Sequence, residues 1–163
     1  AVSAGFQAEA RHAYAAGNSA DLHRGLRAFA GRLLRYAPYR VAARLDGVEL
    51  GSDRAAQLFL SNLPFFGFGF EVSPGADPAD GRLDAVRLYA RGRLSLLRLL
   101  GAVYRGRHLG RPGVVRLSGR RAELTDPLPL VADAVPLGTT TATVSVEPAR
   151  LRVVAPERPG DAA

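Results

Sequence analysis

From Tyr39 onward the chain changes character at every second residue. Tyr39, Val41, Ala43 and Leu45 alternate with Arg40, Ala42, Arg44 and Asp46, the period of a strand with one buried face. Asp46-Gly47 then supplies residues that tolerate a tight hairpin turn into Val48-Glu49-Leu50. The alternation returns at Thr141, Thr143 and Ser145 against Ala142, Val144 and Val146. Strands are predicted over 56–62, 68–72, 83–90, 113–118, 121–125, 128–132, 139–147 and 150–155, with Gly, Pro and Asp between most of them. Many short strands and few helices argue for a mainly β fold, a β-sandwich with two or three helices, and against a doubly wound α/β sheet.

Two stretches break the strand period. Residues 19–36 open on Ser19 as a cap and place Leu22, Leu26, Phe29 and Leu33 at helical spacing, with Arg24, Arg27, Arg32 and Arg35 elsewhere. Residues 92–106 place Leu96, Leu99, Leu100 and Val103 on one helical face and Arg91, Arg98 and Arg105, seven apart, on the opposite one. That helix is expected to dock by its leucines and turn arginine outward. The arginine face suits an anionic lipid surface, where each basic side chain contributes about 1 kcal/mol; a solvated face is the alternative.

At 163 residues the chain is long enough for one well-buried core. We read 1–156 as one domain and 157–163, rich in Pro, Gly and charge, as a disordered tail. All 22 basic residues are Arg and the formal charge is +7, which favours anionic partners. Nucleic acid is the weakest of these, because no recognition module surrounds the aromatic residues. Cys is absent, which excludes disulfides, thiolate metal sites and cysteine nucleophiles. The three histidines, 12, 23 and 108, are expected on the surface. No basic start followed by an apolar stretch marks a secretory signal, so the expected setting is cytoplasmic.

Residues 61–84, SNLPFFGFGFEVSPGADPADGRLD, run a glycine-threaded aromatic segment into Asp77, Asp80 and Asp84. Two readings fit. The aspartates are turn residues bonding nearby amides, or they form an oxygen site for Mg²⁺ or Ca²⁺ in which Asp80 supplies a carboxylate beside a backbone carbonyl. No phosphate-cradling glycine loop of either common type occurs.

Taken together, SNLPFFGFGFEVSPGADPADGRLDAV, the Leu-rich helix ending in YRGRHLGRPGV, then LPLVADAVPLG and VSVEPARLRVVAP resemble the C-terminal domain of the diacylglycerol kinase family. That family includes sphingosine and ceramide kinases and is distantly related to NAD kinases. The match runs from about 54 to 156, and AVSAGFQAEARHAY looks like the family's entry into the domain. The resemblance implies a substrate-side β-sandwich that pairs with an N-terminal domain holding ATP on a Gly-Gly-Asp-Gly-Thr loop, a loop this chain lacks. It implies a structural Mg²⁺ at Asp80 and the carbonyl of Leu83, and a cleft bordered by Asn62, Gly67 and Gly69. It implies a lipid substrate such as diacylglycerol, attachment to the periphery of an anionic membrane through Arg91, Arg98 and Arg105, and it leaves a homodimer open.

The family's Asp-Gly-Glu triplet, whose Asp is the proposed general base, is matched here by Asp133-Ala134-Val135. Asp133 is thus the expected catalytic residue, while Val135 stands where the family has a carboxylate and Phe68 where it usually has another glycine. The resemblance implies that the isolated chain is inactive and becomes a phosphotransferase when joined to the ATP domain. The rival reading is a non-catalytic lipid-binding or regulatory module derived from that family.

Overall fold

A computed structural model describes residues 1–15, 22–51, 54–66, 69–133 and 135–150. The elements are β1 (Val2–Gly5), α1 (Phe6–Ala15), α2 (Leu22–Leu34), β2 (Tyr39–Arg40), β3 (Ala43–Leu45), β4 (Val48–Glu49), β5 (Arg54–Ala55), β6 (Gln57–Ser61), β7 (Phe65–Phe66), β8 (Phe70–Glu71), β9 (Leu83–Leu88), α3 (Arg93–Tyr104), β10 (Val114–Gly119), β11 (Arg121–Ala132) and β12 (Val135–Ser145). The main sheet runs β10-β9-β6-β1-β11-β3-β4, with β12 on the other edge of β11; β2-β5 and β7-β8 form two short ladders. The fold is mainly β, a sandwich-like curled sheet with three helices among the described residues.

One strand makes the curl. The first half of β11 pairs with β3 (Ala122↔Leu45, Leu124↔Ala43) and the second half with β1 (Leu130↔Ala4, Ala132↔Val2). Between them the β11–β12 register slips from Leu124 to Leu128. Pro127 lies in that slip and has no N–H for a ladder, which is where a strand bends most easily. The corner is tied by Thr125 N–H to the Ala42 carbonyl at 3.1 Å and by Ala42 N–H to Asp126 Oδ2 at 3.2 Å. The predicted strands 121–125 and 128–132 are therefore one strand with a corner.

The curl encloses Ala4, Leu58, Leu60 and Ala85 from one wall and Ala43, Leu45, Ala122 and Leu124 from the other. The outer face of the sheet carries Phe59, Val86 and Leu88, which pack with Phe6 at the start of α1 and are covered by Phe29 and Leu33 of α2, by α3 and by Phe66 and Phe70 of the β7–β8 hairpin. Helix α3 has no side-chain cap at Gly92 and carries Gly101 inside it, a defect of about 1 kcal/mol. Leu96, Leu99 and Val103 are buried beneath it, each contributing roughly 1.5–3 kcal/mol. Packing decides the helix, against local propensity.

Several expectations need correction. Leu26 of α2 is 65% exposed, so that helix docks through Phe29 and Leu33; Ser19 lies outside the described residues. The run 39–45 is two strands, β2 and β3, separated at Val41-Ala42 because β2 pairs with β5 and β3 with β11. His108 is fully buried, with Nε2 3.0 Å from the Val72 carbonyl, and half-buried His12 places Nε2 2.9 Å from the Leu130 carbonyl; neither is a free surface group. The predicted hairpin at Asp46-Gly47 forms with φ of 48° and 82°. Residues 151–155 and 157–163 lie outside the described residues.

Candidate functional site at one rim of the sheet

The ladder registers bring the expected site residues to one end of the sheet. Val2 stands opposite Leu60 and Ala132, Ser61 opposite Asp84, and Asp84 opposite Ser118. Asp133 N–H continues this row by donating to the Ala1 carbonyl at 3.0 Å. Asp133, Ala1, Ser61-Asn62, Asp84-Leu83 and Ser118 thus share a rim. At roughly 4.8 Å per strand, Asn62 is about 10 Å and Asp84 about 14 Å from Asp133. These residues lie along one end of the sheet but do not form one cluster.

Asp133 sits in the two-residue connection between Ala132 and Val135, with φ of 42°, a conformation that Asp tolerates better than most residues. Its side chain is 83% exposed, with Oδ1 2.6 Å from the main-chain nitrogen of Ala1. Val135 beside it is also exposed, and Ala134 lies outside the described residues.

At the far end of the rim, the three aspartates of the 61–84 segment have separate tasks. Asp77 Oδ1 accepts from Ala79 N–H at 2.8 Å and Asp80 Oδ1 from Arg82 N–H at 2.7 Å, both turns closed by their own side chains. Asp84 is 3% exposed; its Oδ1 accepts from Arg116 Nε at 3.1 Å and Nη2 at 3.0 Å. Arg116 Nη1 donates to the Pro74 carbonyl at 2.9 Å, pinning the Ser-Pro-Gly turn to the sheet. Among the described residues no three His, Asp or Glu side chains converge as a metal cage. Exposed Asp80 keeps Oδ2 free of these turns, and Mg²⁺ usually binds through one or two carboxylates and several waters. The residues fit a sparse, water-rich ion site and no more than that. Leu83 is buried in β9 opposite Gly119.

Asn62 is half-buried. Gly69 is exposed with φ of 81° and open space where a Cβ would stand; Gly67 and Phe68 lie outside the described residues. Beside Asn62 the loop exposes Leu63 and Phe65.

Arg98 and Arg105 are exposed on or just after α3, and Arg91 is exposed two residues before it. Arg105 Nη1 folds back onto the Gly101 carbonyl at 3.2 Å. The outer face is not simply basic. Leu94 is 71%, Leu97 43% and Tyr104 58% exposed, forming with Gly101 a second apolar stripe at helical spacing. Sequence reasoning missed this stripe, although the spacing 94, 97, 101, 104 was there to be counted. Among the described residues no helix is long and apolar enough to cross a membrane.

Residues 1–155 match the model of the YegS C-terminal NAD kinase beta sandwich-like domain. The diacylglycerol kinases of Mycobacterium tuberculosis strains CDC 1551 / Oshkosh and ATCC 25618 / H37Rv are each 31% identical to this chain over 127 residues, covering 76% of the chain and 40% of the relative. The chain thus spans less than half the length of the curated relatives it matches. A crystal structure of a Bacillus anthracis str. Sterne protein assigned as a diacylglycerol kinase superposes with a TM-score of 0.53 at 12% identity, over 88% of this chain and 48% of that one, which is a likeness of fold. With nearly the whole chain matched, the protein belongs to the family of YegS C-terminal, NAD kinase-like β-sandwich domains found in diacylglycerol kinase-like lipid kinases.

Proposed function

We propose that this chain is the substrate-side domain of an ATP-dependent lipid kinase that phosphorylates a lipid hydroxyl such as that of diacylglycerol, with ATP held by a domain outside this chain. The observation that carries the reading is the rim: Asp133 follows the end of β11, Asn62 follows the end of β6 and Leu83 opens β9 at the same end of the sheet, with the Asp80 turn just before it in the chain. In the reaction the lipid hydroxyl gives its proton to the exposed carboxylate of Asp133 while its oxygen forms the bond to the γ-phosphorus. The bond from that phosphorus to the bridging oxygen breaks, leaving ADP. General base assistance of this kind contributes about 10² to 10⁴ in rate.

Mg²⁺ would be held by Asp80 and the Leu83 carbonyl, where it would neutralise charge and stiffen the turn. In that case millimolar Mg²⁺ raises the Tm of the protein and fails to do so for Asp80→Asn. The α3 face, with Arg91, Arg98 and Arg105 around Leu94, Leu97 and Tyr104, would lie on an anionic membrane, apolar side chains inserted and arginines among the headgroups. Leu97→Ser together with Arg98→Gln then lowers sedimentation with anionic vesicles; unchanged sedimentation removes α3 from the interface.

The deciding experiment is transfer from ATP to diacylglycerol by the whole protein that contains this domain. Asp133→Asn is expected to lower kcat by about 10² to 10⁴ with KM for ATP unchanged; full activity in that variant refutes the base assignment. Exposed Val135, where the family carries a carboxylate, favours a second reading, a non-catalytic lipid-binding module. That reading predicts vesicle binding but no transfer, with Asp133→Asn silent in both assays.

A further inference from the structure

A second polar feature lies at the other end of β9. Arg87 stands opposite Leu58 and Val115, and Leu58 belongs to the interior of the curl, so Arg87 points into the space between the two walls. It is 8% exposed, and its Nε and Nη1 have no hydrogen-bond partner. A guanidinium does not shed its charge on burial, and an unpaired buried charge costs several kcal/mol. Among the described residues no carboxylate pairs with Arg87 or with exposed Arg54 nearby.

Beside Arg87 opens a cleft of about 390 Å³, lined by Arg54, Arg87, Tyr89 and Gly113, within the size range of small-molecule sites. Two glycines with positive φ shape it. A Cβ on Gly51 would fall 2.9 Å from Arg87 Nη1, and one on Gly113 would fall 2.9 Å from the Tyr89 carbonyl. The backbone therefore lies against the guanidinium on one side while the cleft stays open on the other. Two arginines supply hydrogen-bond donors and positive charge in excess, beside a phenol that can donate or accept, and planar guanidinium forks match the oxygens of a phosphate.

We propose that this cleft is an oxyanion site that takes a phosphate or phosphomonoester group, with Arg87 as the buried donor, Arg54 as the exposed one and the Tyr89 hydroxyl as a neutral third. The group comes either from a soluble phosphate or from a phospholipid headgroup; in the chain, Tyr89 is followed by buried Ala90 and then by exposed Arg91 and Arg93 at the start of α3. The site is separate from the Asp133 rim, and phosphate binding can be measured with no transfer activity, so its failure and the failure of the kinase reading are distinguishable.

The test is calorimetric titration of inorganic phosphate at fixed ionic strength into the wild-type protein, Arg54→Gln, Arg87→Met and, as a control for general surface charge, Arg120→Gln, an exposed arginine outside both sites. In parallel, sedimentation is measured with phosphatidylcholine vesicles with and without phosphatidic acid. Binding is expected for wild type and Arg120→Gln, at least tenfold weaker binding for Arg54→Gln, which is exposed and should fold normally, and none for Arg87→Met. Phosphate binding by calorimetry identifies a soluble source; vesicle binding that needs both phosphatidic acid and Arg87, without measurable binding of free phosphate, identifies a headgroup. Equal binding by Arg87→Met and wild type, or no binding of either probe by wild type, overturns the proposal.

Discussion

Removing either partner of the Asp84–Arg116 pair should have unequal consequences, because the two ends sit in different surroundings. The Asp84 side chain is 5% exposed and that of Arg116 32%. In Arg116→Ala the carboxylate is left buried without its two guanidinium donors, a loss of about 3–5 kcal/mol. In Asp84→Ala the arginine can turn outward and rehydrate, so the cost falls to about 1–2 kcal/mol, that of the lost charged hydrogen bonds. For a domain of this size 1 kcal/mol moves Tm by about 2–4 °C, so Arg116→Ala should melt roughly 6–20 °C below wild type and Asp84→Ala within several degrees of it. Asp84→Val with Arg116→Met, which removes both charges and keeps apolar bulk, should recover most of the larger loss. Urea denaturation with a common m-value for all variants makes the comparison. A larger loss for Asp84→Ala than for Arg116→Ala refutes the reasoning, and would mean that Asp84 meets something more than Arg116 at the rim.

Two further perturbations probe the frame of the site. Gly5→Ala forces a Cβ to 2.7 Å from the Ala56 carbonyl oxygen at a φ of 105°, pressing on the acceptor of the Phe6 N–H bond; the backbone strain alone costs about 1–3 kcal/mol, and a Tm within 1 °C of wild type would contradict it. His108 is held neutral, its pKa lowered chiefly by burial and further by Arg111 and Arg116, with the Val72 carbonyl and Glu71 opposing. Its stabilisation is therefore complete above the unfolded value of about 6.5 and is lost as the pH falls below it toward the lower folded value, with a slope of at most about 1.4 kcal/mol per pH unit. Denaturation at pH 7.5 and 5.5 should show a shallower acid loss in His108→Gln than in wild type; identical slopes would remove His108 from the acid sensitivity.

Alternation, turn chemistry and the order of four segments were enough to read the mainly β class, the Asp46-Gly47 hairpin, the leucine face of α3 and the lipid-kinase family from the residues alone. Those features are local, or repeat at a period fixed by backbone geometry. Strand β1 and helix α1 were not legible, since four residues of Val-Ser-Ala-Gly carry almost no pattern, and β1 exists because β6 and β11 flank it. The corner in β11, burial of His108 and exposure of Leu26 likewise depend on which surfaces meet.

The candidate site divides along the same line. Sequence spacing put Asp77, Asp80 and Asp84 within eight residues, and at that scale turn capping and cation binding look alike. The structure separated them: the register of β9 with β10 gives Asp84 to Arg116, Asp77 and Asp80 close their own turns, and Asp133 lies about three strands away along the same rim. The unpaired charge of Arg87 was invisible for the same reason: a residue's chemistry is written in the chain, but what it faces is decided by pairings between segments distant in sequence.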